Sequence, residues 1–252
     1  MSNATYKNLL RLYLPVEHFS VDENHALSDG QHHYLKNVMR AEAGEKLRVF
    51  NGRDGEWLAE VIELSKKKAI VTLLEKIAEQ KSSPDVFILA SPVKKEAFDF
   101  MVEKASELGA AVFQPITCQH TVVHRVNAER MAAQAAEAAE QCERLDVMAI
   151  APLMPLNDLL ASWPRNPALK DRTLLFCQER GAAAPLADVV MGLPKGAKLA
   201  LLIGPEGGFS ETEVEKLLAC GFVESVSLGP RILKAETALI SALAGVQMLT
   251  EK

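Results

Sequence analysis

Cysteine is scarce in this chain: Cys118, Cys142, Cys177 and Cys220 are the only four, and none stands in a CxxC pair. That spacing disfavours a disulfide framework and suits reduced thiols in a cytoplasmic protein. Long apolar runs are missing as well, since no stretch approaches the roughly 20 residues that a membrane span needs. The opening residues, MSNATYKNLLRLYLP, lack an apolar segment with a small-residue cleavage site, so a secreted protein is not expected. There is no excess of basic charge. The formal net charge of −5 argues against indiscriminate polyanion binding, although it leaves room for a local basic face. Several chemical signatures are absent too. Without GxGxxG there is no dinucleotide fingerprint, without a Gly-Lys-Ser/Thr loop no P-loop, and without GxSxG no nucleophile elbow. No internal repeat is visible, and no low-complexity tract beyond an Ala-rich helix.

What is present fills 252 residues, 48% hydrophobic and 24% charged, enough for one large domain or two modest ones. Residues 1–77 read as several short strands: an apolar-basic stretch near Thr5–Leu14, then Lys46–Phe50, Trp57–Leu64 and Lys68–Leu74. The turn Asn51-Gly52-Arg53-Asp54-Gly55 joins two of them, and a short helix over Gly30–Arg40 is capped by Ser28 or Asp29. Short strands with Gly-rich turns predict a small β-barrel. Its basic residues cluster at Lys36, Arg40, Lys46, Arg48, Arg53 and Lys66-Lys67-Lys68. That cluster is either a solvated face or one that contacts phosphates, with RNA the favoured partner. Residues 78–84 are polar and read as a linker.

From residue 85 on, the periodicity changes. Apolar runs at Val86–Ala90, Ala111–Ile116, Thr173–Cys177, Leu199–Ile203 and Val223–Leu228 alternate with helical patterns. The helices fall at Lys94–Leu108 (ended by Gly109), Asn127–Arg144, within Pro152–Trp163, at Thr212–Cys220 and at Thr237–Leu249. Strands alternating with helices predict an α/β domain with a mostly parallel sheet. Within it, two glycine turns each follow a strand: Gly204-Pro205-Glu206-Gly207-Gly208 and Gly229-Pro230. Ligands of open α/β sheets gather at the carboxyl ends of such strands. Glycine lets backbone approach a ligand closely, and a carboxylate in the first loop suits a neutral or cationic ligand better than a triphosphate. Arg231 and Lys234 can hold an anion, and Glu236 sits at a helix start, where the macrodipole favours it. Cys118, His120 and His124 lie close together, but lacking a fourth ligand they are not read as a metal site.

The pair Leu202-Ile203-Gly204-Pro205-Glu206-Gly207-Gly208-Phe209-Ser210 and Leu228-Gly229-Pro230-Arg231-Ile232-Leu233-Lys234-Ala235-Glu236-Thr237-Ala238 resembles the signature of the RsmE-type 16S ribosomal RNA (uracil-N3) methyltransferases of the SPOUT superfamily. Glu103–Gly109 resembles that family's helix with an E-L-G end, and Glu140-Gln141-Cys142 with Arg144 its E-Q-x-x-R segment. One departure is Lys234-Ala235, where Arg-Thr is commoner; charge is kept and a hydroxyl lost. The resemblance implies an α/β SPOUT domain (residues 85–252) with a trefoil knot, preceded by a PUA-like β-barrel that binds RNA. It implies S-adenosyl-L-methionine as cofactor, no metal, and a cytoplasmic homodimer acting on one uridine of 16S rRNA in the small ribosomal subunit, with no DNA or membrane partner. The cofactor would meet backbone amides and carbonyls of Leu202, Gly204, Gly207, Leu228, Ile232 and Leu233, and also Ile203, Pro205, Glu206, Gly208, Gly229 and Cys177, with Gln178 and Glu179 on the same side. Catalytic candidates are Arg231, then Lys234, as cations beside the uracil. Glu206 and Glu236 either accept its proton or cap backbone amides. RNA contacts fall to Lys36, Arg40, Arg48, Arg53 and Arg125, and the resemblance adds His120 and His124, on the same loop as Arg125, as further candidates for RNA contact. A SPOUT enzyme with another RNA target, and a non-catalytic ribosome-assembly protein, remain as alternatives.

Overall fold

The computed structural model describes residues 6–179 and 181–250, and its internal contacts divide the chain into two units. One comprises residues 1–83 together with 139–147, the other residues 84–138 and 148–252.

The first unit is built on a five-stranded sheet: β1 (Arg11–Tyr13), β2 (Asn24–Ala26), β3 (Lys46–Phe50), β4 (Glu56–Leu64) and β5 (Ala69–Ala78). The order is β1-β3-β4-β5-β2. Only the β1–β3 pair is parallel. Alternation along β5 turns Ala69, Val71 and Leu73 into a core shared with Leu12, Leu35, Leu47, Val49 and Val61. The turn Asn51–Gly55 forms as its composition predicts. Asn51 Oδ1 accepts from the amides of Arg53 (3.0 Å) and Asp54 (2.8 Å), and a Cβ on Gly55 would lie 2.1 Å from the Ala78 carbonyl.

The helix expected over residues 30–40 is two pieces. Ser28 caps α1 (Asp29–His33) in a capping box with Gln31; the chain then widens into a π-helical turn, Tyr34–Met39, that ends at Arg40 in the left-handed region (φ 55°). The short β2 carries too little pattern to read from sequence, and the first strand is only three residues long.

Residues 139–147 join this unit through a buried charge cluster. Arg11, 4% exposed, donates from Nε to Glu56 (2.5 Å) and from its Nη atoms to the carbonyls of Ala139 and Arg144 (each 2.6 Å), stacked over the Phe50 ring. The Tyr13 amide donates to Glu140 (2.7 Å), and Ser83 and Arg144 both donate to Asp146. Glu140 and Arg144, the residues behind the E-Q-x-x-R resemblance, thus serve to fasten this segment.

The second unit holds β6 (Val86–Ala90), α2 (Lys95–Glu107), β7 (Val112–Thr117), most of α3 (Ala128–Gln141), β8 (Ala149–Ile150), β9 (Met154–Pro155), α4 (Leu156–Ser162) and β10 (Arg172–Cys177). It continues with β11 (Ala184–Pro185), α5 (Leu186–Gly192), β12 (Lys198–Ile203), α6 (Glu211–Leu218), β13 (Val223–Ser227) and α7 (Ala235–Thr250). The sheet order is β11-β13-β10-β12-β6-β7-β8, with β9 also on β7, and every pair is parallel. Expected strands and helices recur here within a residue or two, except that α3 stops at Gln141, three residues short of the expected Arg144. Asn127 caps α3, its Oδ1 accepting from the Arg130 amide (2.9 Å), and Gly109 ends α2 at φ 76°. The seven-residue α5 and the two-residue strands were not legible in advance.

Central β12 is buried at every residue after Lys198, as a parallel strand covered on both faces must be. Its neighbour across β10 is β13. The chain leaving β12 therefore passes β10 through α6 before re-entering the sheet. Since all three strands run the same way, their carboxyl ends open side by side. α7 packs against α2, α5 and β12, burying Leu239, Ala242, Leu243 and Val246. Among the described residues no helix is long and apolar enough to cross a membrane.

Candidate functional site

Three loops leave the carboxyl ends of β10, β12 and β13 and enclose a cavity of about 680 Å³. That falls within the range of small-molecule sites, roughly 300–1,000 Å³.

The β12 loop contributes Ile203 through Phe209. Its glycines are required by crowding more than by strain. A Cβ on Gly204 would sit 2.5 Å from the Phe209 ring, and one on Gly207 would sit 3.0 Å from the Cβ of His120. Gly208 is left-handed (φ 71°), and its amide closes a turn onto the Pro205 carbonyl (2.9 Å). Phe209 meets Phe176 edge-on, centroids 5.0 Å apart, making one apolar wall. The loop hands over to α6 through a capping box of Ser210 with Glu213. The buried Glu213 carboxylate also accepts from the Gln119 amide (2.8 Å), tying α6 to the turn after β7.

The β13 loop supplies Leu228, Gly229, Arg231, Ile232, Leu233 and Lys234, followed by Ala235 and Ala238 of α7. Gly229 is left-handed (φ 112°), and its amide is held by Ser227 Oγ (3.2 Å). The β10 loop supplies Phe176, Cys177, Gln178 and Glu179. The Gln178 amide donates to the Val226 carbonyl (3.0 Å) and its side-chain oxygen accepts from Ser225 (2.6 Å), so β13 fixes this loop. Burial pushes the Cys177 thiol up to about 12, which leaves it a neutral, unreactive wall.

Of the residues that the sequence puts at the cofactor, all but one line this cavity. The exception is Leu202, whose side chain is fully buried in the core with Leu89, Leu174 and Phe176. Among the catalytic candidates, Arg231, Lys234 and Glu206 line it with exposed side chains, whereas Glu236 lies in the first turn of α7 and is not among the lining residues. Phe176, Val214 and Ala238 also line the cavity, with no sequence signal that marks them for it. Each lies on a strand or helix whose apolar residues look alike whether they face core or cavity.

The RNA candidates separate. Arg40, Arg53 and Arg125 are exposed, and Lys36 is half-buried with Nζ on the Ser65 carbonyl (2.8 Å). Arg48 is not on a surface: it is 4% exposed and paired with Glu143 (2.7 Å) and Glu56. A side chain so committed is closed to phosphate. Cys118 faces the core with its thiol raised to about 12, by burial first and then by the Glu213 charge, so it turns away from the exposed His120. Among the described residues no group of three or more His, Cys, Asp or Glu is placed to hold a metal ion.

Similarity to known proteins covers both units, with residues 139–147 of the first unit falling inside the methyltransferase match. Residues 80–247 match the RNA methyltransferase domain family, and residues 27–74 the RNA methyltransferase PUA domain family. The chain is 31% identical to the ribosomal RNA small subunit methyltransferase E of Synechocystis sp. over 99% of its own length and 81% of that protein's. It is 30% identical to the protein of that name from Rickettsia conorii, over 88% of each. Among solved structures, ribosomal RNA small subunit methyltransferase E from Neisseria gonorrhoeae bound to S-adenosyl methionine superposes with a TM-score of 0.84 at 28% identity, covering 96% of this chain and 98% of that one.

Proposed function

Because the chain belongs to the RNA methyltransferase family, with a PUA domain before the methyltransferase domain, we propose that it methylates N3 of one uridine in small-subunit ribosomal RNA, using S-adenosylmethionine. The observation that carries this reading is the cavity at the ends of β10, β12 and β13. It unites both glycine loops of the sequence signature in one site.

The residues present suit that cofactor. Ile203, Leu228, Ile232 and Leu233 offer apolar surface to an adenine, and the loop at Gly204–Gly208 brings backbone donors and acceptors to the wall. Glu179 and Glu206 give the cavity negative charge, which favours a sulfonium, while Arg231 and Lys234 suit a carboxylate or a developing anion. When bound, the cofactor supplies an electrophilic methyl group.

The protein's part is to present the base and manage its proton. Neutral uracil carries hydrogen on N3, so that nitrogen becomes a nucleophile only as the proton leaves. Glu206, exposed on the cavity wall, is the carboxylate assigned to accept it; Glu236, off the wall, is assigned to the helix start. Arg231 stabilises the negative charge that spreads to the uracil carbonyl oxygens, and Lys234 supports it. The target base has to leave its stack to reach the cavity. RNA is held by basic residues: half-buried Lys36 and exposed Arg40 beside the exposed Tyr34 and Met39 in the first unit, exposed Arg53 at its Asn51–Gly55 turn, and exposed Arg125 in the second unit.

We extend the reading to a cytoplasmic homodimer and to a knot, in which the chain after β13 threads a loop of the second unit. Calorimetry with S-adenosylmethionine tests the cofactor, and mass spectrometry of 16S rRNA from a deletion strain tests the target. Binding together with loss of one N3-methyluridine is expected. Binding of RNA without the cofactor would instead mark a non-catalytic assembly protein, and loss of a tRNA or ribose methyl a different substrate.

A further inference from the structure

The turn Cys118–Thr121 lies outside the cavity lining, yet it is built as a support for the glycine loop. Thr121 Oγ1, buried, accepts from the Cys118 amide (2.7 Å) and bonds Ser91 Oγ at the end of β6 (2.7 Å). The Thr121 amide returns to the Cys118 carbonyl (3.1 Å), and the Gln119 amide is held by Glu213 of α6 (2.8 Å). Four hydrogen bonds over four residues leave the turn little freedom. Its His120 side chain projects onto the loop after β12: Nδ1 lies 3.1 Å from the Gly207 carbonyl and 3.2 Å from that of Gly208. A carbonyl only accepts, so Nδ1 must carry the hydrogen, and one donor is shared between two consecutive peptide groups. The contact also accounts for glycine at 207, whose backbone is not left-handed, since the space for a side chain is taken by the His120 Cβ at 3.0 Å.

We propose that His120 is a positioning residue for the methyltransferase site, latching the peptide planes that follow Gly207 and Gly208 before the cofactor arrives. Glycine-rich backbone has the most freedom to lose on binding, and a loop ordered in advance binds more tightly because that loss no longer falls on the ligand. The latch acts through the loop. His120 is not assigned to touch cofactor or base. The inference rests on the reading of the cavity as the S-adenosylmethionine site.

Three variants of the full-length protein separate hydrogen bonding from shape. Asn carries its amide nitrogen where His carries Nδ1, and Asp has the same outline with no donor. His120→Ala and His120→Asp are expected to raise the S-adenosylmethionine dissociation constant about tenfold, the effect of one lost hydrogen bond. Turnover at saturating cofactor should stay within a factor of about 2–3 on that reasoning. His120→Asn is expected to restore affinity to near wild type. In cofactor-free protein, amide exchange at residues 207–209 should quicken in the Ala and Asp variants and stay slow in the Asn variant. Equal affinity and equal exchange for Asn and Asp would overturn the latch, as would a His120→Ala variant with wild-type exchange. Should the wild-type protein bind no S-adenosylmethionine, the proposed function fails, while the exchange comparison still decides the latch.

Discussion

Single residues define the site by what they leave out. Gly207 and Gly204 are small because His120 and Phe209 occupy the space beside them. Gly207→Val is therefore expected to fold and to lose cofactor binding by more than about 100-fold, since a branched side chain must displace the loop that forms the wall. Normal calorimetric affinity in that variant would remove Gly207 from the cofactor wall. Arg231→Ala is expected to lower kcat by about 100-fold, the scale of losing one charge-stabilising donor, with a smaller change in cofactor affinity. A pure affinity loss would move Arg231 to the cofactor. Cys177, with its thiol pushed up to about 12, should resist iodoacetamide at pH 8, while exposed Cys142 reacts; mass mapping of labelled cysteines reads this directly. The loops that bear these residues stood out in the sequence because glycine and proline interrupt apolar strands. Burial did not, which is why Arg48 looked like part of a basic face. Its partner Glu56 is close in the chain, but the second, Glu143, arrives from the segment just after α3.

Elements are held by a few polar fixings. The segment 139–147 depends on Arg11, whose guanidinium serves Glu56 and two carbonyls at once. Arg11→Ala leaves Glu56 short of a partner inside the first unit and is expected to cost about 3–5 kcal/mol in chemical denaturation. Asp146 makes a pH-dependent contribution. Burial alone raises its carboxyl, but Arg144 and Ser83 together outweigh burial and set the folded value below the ordinary one. The stabilisation is then full above the unfolded aspartate value and is lost as pH falls through the folded one. Asp146→Asn should cost on the order of 1 kcal/mol at pH 7, with the gap to wild type closing below about pH 4. A gap constant across that range would contradict the ion pair. Strands and helices of the second unit were legible because periodicity and caps such as Asn127 and Gly109 are local. The π-helical turn at Tyr34–Met39 was not, since its residues read as ordinary helix and only Leu35 among them is buried in the core.

At the scale of the whole chain, the glycine loops stand 25 residues apart in sequence, as Gly204 and Gly229, and become one site only through strand order. Local patterns showed two strand ends, but not that β10 would lie between β12 and β13 and bring a third loop with Cys177, Gln178 and Glu179. The proposed division of labour gives most of the RNA contacts to the PUA domain, and the chemistry together with Arg125 to the methyltransferase domain. Removing residues 1–77 should accordingly weaken RNA binding while S-adenosylmethionine affinity changes little. The most direct test of the central claim is transfer of labelled methyl from S-adenosylmethionine to small ribosomal subunits from a deletion strain, with the modified nucleoside identified by mass spectrometry. The account predicts close to one methyl per subunit, found as N3-methyluridine in 16S rRNA. No transfer to subunits or to free 16S rRNA, or label recovered as a ribose methyl, would contradict it.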